Sequence, residues 1–258
     1  MSLLGLEGRR VLVTGGSRGI GAACCHLFAR AGAAVAVHYN ARRDAAESVL
    51  RVLPRPPQEG GGDHFLVQGD LADEAAVGTI FVEVERRWGG LDCLVNNAGI
   101  WVRNPVDALD LALFDETMRV NVTGSFLCAR EAVRLLQRST DGNIVNLTST
   151  AGQRGEAFYS PYAASKGAMI SATKAWSTEL APKIRVNSVA PGWVDTDMSA
   201  DALRGDATER SAIERAIPLH RIATAEDIAG SVLFLASALA RHITGEIVNV
   251  NGGSVLAG

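Results

Sequence analysis

The sequence lacks several features that would set it apart from ordinary soluble enzymes and binding domains. No apolar run in its 258 residues reaches the roughly 20 residues of a membrane span, so no membrane partner is expected. Residues 1–10 have no basic start followed by a long apolar stretch, so no secretion signal is expected. Neither sign of charge is in excess: 25 Lys and Arg stand against 28 Asp and Glu, and the net −3 gives nucleic acid no footing. Cysteine is scarce, with four residues (Cys24, Cys25, Cys93 and Cys128) and no C-x-x-C pair or metal spacing. Cys24 and Cys25 lie inside a helical pattern, so buried thiols in a reducing cytoplasm are expected. The five histidines are scattered, and none is assigned as a metal ligand. There is no sequence repeat and no low-complexity tail.

What the chain does have is alternation. Short runs rich in Val, Ile and Leu recur at 10–14, 34–39, 64–69, 91–96, 142–148, 184–190 and 246–250, as parallel strands buried on both faces require. Helical patterns fill the intervals; in 73–88, Val77, Ile80, Phe81, Val84 and Trp88 share one face. Gly32 is placed to cap a helix at 20–31, and Thr224 with Asp227 predicts a capping box opening a helix to about residue 239. The whole predicts an α/β, three-layer doubly wound (Rossmann) fold with a seven-stranded parallel sheet, in a single domain spanning 1–258. Two stretches break the rhythm. The Pro- and Gly-rich segment 54–63 predicts an exposed loop. The helical segment 195–220, bracketed by Pro191-Gly192 and Pro218, reads either as a substrate lid or as a plain surface excursion.

Ligands of a doubly wound sheet bind beyond the carboxyl ends of its strands. Those ends read Thr14-Gly15, His38–Asn40, Asp70, Asn96-Asn97-Ala98-Gly99, Ser149 and Pro191-Gly192, and the polar and turn-forming residues collected there imply one shared cleft. The first turn, T-G-G-S-R-G-I-G at 14–21, sits between a strand and a helix. Its glycines let the backbone approach a pyrophosphate, which the open helix N-terminus attracts. The second motif is Tyr162-Ala-Ala-Ser-Lys166. Ser160-Pro161 reads as an N-cap and first helical residue, which puts Tyr162 and Lys166 one turn apart on one face. A phenol near ~10 is a poor base at neutral pH, and a nearby ammonium is expected to lower it. Alone, such a pair is more often a solvated helix face; the glycine turn and Ser149 change that reading.

These residues together resemble the compact, single-domain branch of the short-chain dehydrogenase/reductase family over essentially the whole chain. The matching motifs are TGGSRGIG at 14–21, Asp70-Leu71, NNAG at 96–99, Asn121, Ser149, Y-x-x-x-K at 162–166, Pro191-Gly192 with Thr196, and the ending I-T-G-E-I-V-N-V-N-G-G at 243–253. The resemblance implies a nicotinamide-dependent oxidoreductase that reduces a carbonyl to a secondary alcohol, reversibly. It implies Tyr162 as the acid/base and Ser149 as the partner of the substrate oxygen. Lys166 would hold the nicotinamide ribose, and Asn121 would hold a water in a proton relay. It further implies cofactor contacts from Gly15, Ser17, Arg18, Gly19, Ile20 and Gly21; from Asp70 and Leu71 at the adenine; and from Asn97, Ala98 and Gly99. Tyr162 and Lys166 contribute again, with Pro191, Gly192, Val194 and Thr196 on the nicotinamide side.

An NAD site usually has an acid at the end of the second strand, to hold the ribose 2′-hydroxyl. Here that segment is His38-Tyr39-Asn40-Ala41-Arg42-Arg43 and the first acid is Asp44. With Arg18 in the glycine turn and Asn40 and Arg42 at the strand end, NADP(H) is favoured over NAD(H). Substrate contacts are expected from Trp101, Thr150, Tyr159 and Trp193 and from the segments 153–158 and 198–217; the aromatic walls suit a carbonyl with an apolar or ring-bearing arm. The whole chain is most similar to members like the 3-oxoacyl-[acyl-carrier-protein] reductases, so Arg138, Lys183 and Arg185 are candidates for carrier-protein docking. His220 stands where the family commonly has glycine. The resemblance implies a homotetramer formed through the helices near 114–138 and 160–180. The alternatives are a polyol or sugar alcohol dehydrogenase working oxidatively and, from another class, a non-catalytic nucleotide-sensing module.

Overall fold

The computed structural model describes residues 3–56, 62–204 and 207–256. Its strands are β1 (Arg10–Val13), β2 (Ala34–Tyr39), β3 (Phe65–Gln68), β4 (Cys93–Asn96), β5 (Gly142–Leu147), β6 (Ile184–Pro191) and β7 (Ile247–Val250). Every expected strand is present within two residues of its expected bounds. They form one sheet, β3-β2-β1-β4-β5-β6-β7, in which every pair is parallel. Chain order reverses between β1 and β4, which opens a crevice beyond their carboxyl ends.

The helices are α1 (Gly19–Arg30), α2 (Arg43–Val52), α3 (Glu74–Trp88), α4 (Leu111–Met118), α5 (Gly124–Leu136), α6 (Thr150–Arg154), α7 (Ser160–Glu179), α8 (Ala200–Arg204), α9 (Ala207–Ala216) and α10 (Ala225–Ala236). Strands buried on both faces send alternate side chains to opposite layers. Val11 and Val13 of β1 pack with Phe28 of α1 and with Ile228 and Val232 of α10, whereas Leu12 joins Phe81 of α3, Leu135 of α5 and Met169 of α7. The four cysteines are free and buried in these layers. Burial pushes the Cys24 and Cys128 thiols up to about 12, which makes them apolar filler rather than nucleophiles.

Local signals set most element ends. Asp73 caps α3 by accepting from the Ala75 N–H at 2.9 Å, and Gly89 ends it in a left-handed turn. The Thr224–Asp227 capping box forms, but α10 stops at Ala236 and a separate 3-10 turn, Ala238–Ala240, covers the remainder. The expected Ser160 cap is corrected by one position: Ser160 is itself the first residue of α7, and Tyr159 precedes it without a side-chain cap. His220 takes a φ of +51°, a left-handed conformation that glycine adopts freely.

Residues 57–61 of the loop expected at 54–63, and 205–206 of the 195–220 excursion, lie outside the described residues. Leu203 and Ile217 of the excursion form a small separate core with Ile222, on which Trp193 and Ile213 pack. The Leu219 N–H donates to the Gly252 carbonyl at 3.1 Å, tying this unit to the chain just past β7.

The amino ends of the strands carry a separate ionic cluster. Asp92 accepts from the Arg10 Nε at 2.8 Å and the Ser139 hydroxyl at 2.7 Å, while Asp141 bridges Arg9 at 3.2 Å and Arg185 at 3.3 Å. This overturns the docking assignment. Arg185 is largely buried and also donates to the Leu235 and Ala240 carbonyls, and Arg138 is paired with Glu85 at 2.8 Å. Lys183 just before β6 and Arg138 just before β5 stand at the same amino end, on the far side of the sheet from the crevice. Met169, in the helix near 160–180, is 2% exposed and belongs to the core.

Candidate active site

A cleft of about 740 Å³ lies beyond the carboxyl ends of the strands. Its floor is the glycine turn. Gly15 and Gly19 have φ of +63° and +53°, and a Cβ at Gly21 would lie 2.2 Å from the Gly15 oxygen and 2.6 Å from the Asn97 amide nitrogen. Only glycine lets the turn close this tightly. α1 starts at Gly19 with no side-chain cap from Arg18, so its first N–H groups are open to a ligand.

The turn is clamped from two sides. The Asn97 side chain donates to the Thr14 and Gly15 carbonyls at 2.8 and 3.2 Å, and the Thr14 hydroxyl accepts from the Asn97 and Ala98 N–H groups at 2.9 and 3.1 Å. On the other side stands His38, a residue that the sequence marked only as part of a strand end. The Gly15 N–H donates to its Nδ1 at 3.0 Å, so the ring proton sits on Nε2 and faces the Gly69 carbonyl at 3.0 Å. Burial pulls the imidazole down to about 4, which keeps it neutral and holds this pattern. The signal that could have found it is position: His38 lies among the six strand ends, one strand over from Gly15.

Ser17, Arg18, Ile20, Asn40, Arg42, Asp70 and Leu71 line the same end of the cleft. Arg18 is exposed and 3.8 Å from Asp197, while Arg42 pairs with Asp44 at 3.3 Å. No acid of β2 enters the lining, but Asp197, from the excursion, does.

At the other end the structure brings Ser149, Tyr162 and Lys166 together. Ser149 follows β5 and caps α6, its hydroxyl accepting from the Ala151 N–H at 3.1 Å. α6 lies on α7, which carries Tyr162 and Lys166. Burial pushes the half-buried phenol of Tyr162 up to about 12, with Ser149 acting the other way. The expected lowering by Lys166 is not seen. The lysine Nζ is 5.8 Å from the Tyr162 ring centre and donates to the Leu147 carbonyl at 2.8 Å, and burial pulls its own ammonium down to about 8.

Asn121 stands behind the cleft wall rather than in it, in a π turn (Arg119–Thr123) between α4 and α5. Its side chain accepts from the Ile100 N–H at 2.8 Å and donates to the Ile100 carbonyl and the Ser165 hydroxyl at 2.9 and 3.0 Å. A Cβ at Gly99 would sit 3.1 Å from the Asn121 oxygen and 3.6 Å from the Lys166 nitrogen, so the NNAG turn closes over both. Ala98, Gly99, Pro191, Gly192, Val194 and Thr196 complete the lining here. Of the expected substrate residues, Trp101, Thr150 and Trp193 line the cleft, and Tyr159 stacks behind Trp101. Glu156, within the 153–158 segment expected to flank the substrate, lines it as well.

Comparison with known proteins agrees with this architecture. The family model described as Enoyl-(Acyl carrier protein) reductase matches residues 15–254. The 3-oxoacyl-[acyl-carrier-protein] reductase FabG of Staphylococcus aureus is 38% identical over 246 residues, covering 95% of this chain and 97% of that one. The protein of the same name from Aquifex aeolicus is 36% identical, over 96% of this chain and 98% of its own length. Among solved structures, the short-chain dehydrogenase/reductase SDR:Glucose/ribitol dehydrogenase of Brucella melitensis superposes with a TM-score of 0.90 at 32% identity, covering 98% and 99% of the two chains. The chain belongs to the short-chain dehydrogenase/reductase family.

Proposed function

We propose that the protein is an NADP(H)-preferring reductase of ketones, acting on small-molecule carbonyls through Ser149, Tyr162 and Lys166. The observation that carries this reading is that Ser149, Tyr162 and Lys166 line one cleft together with the glycine turn. A dinucleotide fits the residues present: the turn leaves no room for a Cβ at Gly21, and the buried Lys166 ammonium spends one of its three donors on Leu147. Gly15 to Gly21 would hold the pyrophosphate, Asp70 and Leu71 the adenine end, and Lys166 and Thr196 the nicotinamide end. When bound, the nicotinamide supplies or accepts a hydride.

The chain's own residues handle the proton. A phenol near 12 keeps its hydrogen at neutral pH, and gives it up only to an oxygen becoming alkoxide. Ser149 stabilises the same oxygen as its charge develops. Asn121 acts by position, holding Ile100 and Ser165 around Lys166. Arg18 and Arg42 offer guanidinium donors to a 2′-phosphate. The 195–220 excursion contributes Thr196 to Ser199 to the lining, which supports a lid role. Pairing of copies through α5 and α7 is supported by Phe126, 45% exposed on α5 against Trp176 of α7.

The test is Tyr162→Phe. Carbonyl turnover should fall about 10²–10⁴-fold while NADPH binding survives; turnover at the unmodified rate refutes the mechanism. The second reading, a polyol dehydrogenase working oxidatively, takes support from the name of the Brucella melitensis relative. Rates with NADPH plus ketones against NADP plus polyols separate the two.

A further inference from the structure

The cleft wall beside Tyr162 is built from two segments that fasten to each other. Trp101 stacks on Tyr159, with ring centres 4.3 Å apart and planes 7° from parallel. The Asn104 N–H donates to the Phe158 carbonyl at 2.8 Å, and the Arg103 guanidinium lies 4.9 Å over the Phe158 ring. Phe158 itself is held at a φ of +67°, a conformation that side chains of its kind resist. The Trp101 indole N–H donates to the Glu156 carboxylate at 3.3 Å, and Trp193 stands edge-on to Trp101 at 6.0 Å. Glu156 is therefore a fixed carboxylate on an aromatic platform, lining the same cleft as Ser149 and Tyr162.

A carboxylate has about four acceptor sites, and the single indole N–H leaves most of them for something else. Burial raises the Glu156 carboxyl above its usual range, and its charge is felt at Tyr162. Arg154 lines the cleft too, close enough to act on Glu156. A site combining an acceptor, a donor and indole faces matches hydroxyl groups on a carbon chain or ring. A bare alkyl arm would strip water from Glu156 and return no hydrogen bond. A substrate carboxylate would meet the fixed, half-buried charge of Glu156, which the exposed and water-screened Arg154 offsets only in part.

We propose that Glu156 is the specificity-determining residue, selecting carbonyl substrates that bear hydroxyl groups near the reacting carbon and turning away those bearing a carboxylate. This rests on the carbonyl-reductase reading above. The test compares kcat/KM of the unmodified protein, Glu156→Gln and Glu156→Leu on three ketones of matched length: polyhydroxylated, alkyl and keto acid. Quenching of tryptophan fluorescence by a non-reacting polyol reads the site without turnover, and circular dichroism checks that each variant folds.

The unmodified protein should favour the polyhydroxylated ketone over the alkyl one by at least about tenfold. Glu156→Leu should erase that ratio together with the polyol quench. Glu156→Gln should raise the keto acid about tenfold. Unchanged ratios in Glu156→Leu, or a keto acid preferred by the unmodified protein, would overturn the inference while leaving the reductase reading intact. If no ketone is turned over but the polyol quench is present and lost in Glu156→Leu, the reductase reading falls and the Glu156 site stands.

Discussion

Gly152→Ala should damage catalysis far more than folding. Gly152 lies in α6, three residues past Ser149, where α6 crosses α7. A Cβ there would sit 2.6 Å from the Lys166 carbonyl carbon, 2.7 Å from the Gly167 nitrogen and 2.9 Å from the Lys166 oxygen. Ordinary contact begins at 3.4 Å, and all three obstacles are backbone, so the helices must part by about 0.8 Å. Ser149 travels with α6, whereas Tyr162 and Lys166 travel with α7. A displacement near 1 Å between reacting groups costs about 10²-fold, so kcat/KM should fall roughly 10- to 100-fold. Overpacking costs about 1–3 kcal/mol, and Ala recovers about 1 kcal/mol over Gly within a helix. In a chain of this size Tm then drops by no more than roughly 8 °C. Steady-state kinetics with thermal melts measure both. The control is Gly78→Ala in α3, where an added Cβ meets nothing within 4 Å and activity should be unchanged. If Gly152→Ala kept kcat/KM within about twofold, the rigid coupling of Ser149 to Tyr162 through this crossing would be refuted.

Replacing both Arg18 and Arg42 with Ala should weaken NADPH binding about 10- to 100-fold in fluorescence titration and leave NADH nearly untouched; equal losses would sink the 2′-phosphate assignment. Asp92→Asn should cost about 3 kcal/mol, roughly 6–12 °C in Tm, because Arg10 loses its partly buried partner. Burial alone would raise the Asp92 carboxyl, but hydrogen bonds from Arg10 and Ser139 hold it below the usual range. Its contribution is therefore complete above the unfolded value near ~3.9 and lost as pH falls through the folded value, a loss that acid melts should show and Asp92→Asn should abolish. For His38, Asn can reproduce the Nδ1 acceptor of the Gly15 N–H and Leu cannot. Dinucleotide affinity should thus survive His38→Asn much better than His38→Leu, and equal affinities would show that the clamp does not shape the turn.

The fold was legible because one physical requirement repeats along the chain. A parallel strand covered on both faces must be apolar throughout, so runs such as Val11-Leu12-Val13 declare themselves without reference to their neighbours. The cleft was legible for a related reason: polar and turn-forming residues at six strand ends have nowhere to meet except at one edge of the sheet. What was not legible depends on partners distant in sequence. Arg185 reads as a surface base until the pairing of β5 with β6 sets it beside Asp141. His38 reads as one strand-end residue among several until the order β3-β2-β1 puts Gly15 on one side and Gly69 on the other. The chain shows Lys166 four residues after Tyr162, but the Leu147 carbonyl that accepts its hydrogen bond comes from β5. Glu156 has no periodicity at all, and acquires its meaning from Trp101, 55 residues away. Motifs local to one strand and turn therefore identify the reaction, whereas the groups that tune and select for it arise where separate crossovers meet. Specificity within a shared fold should be sought at contacts such as Trp101–Glu156, rather than inside the motifs.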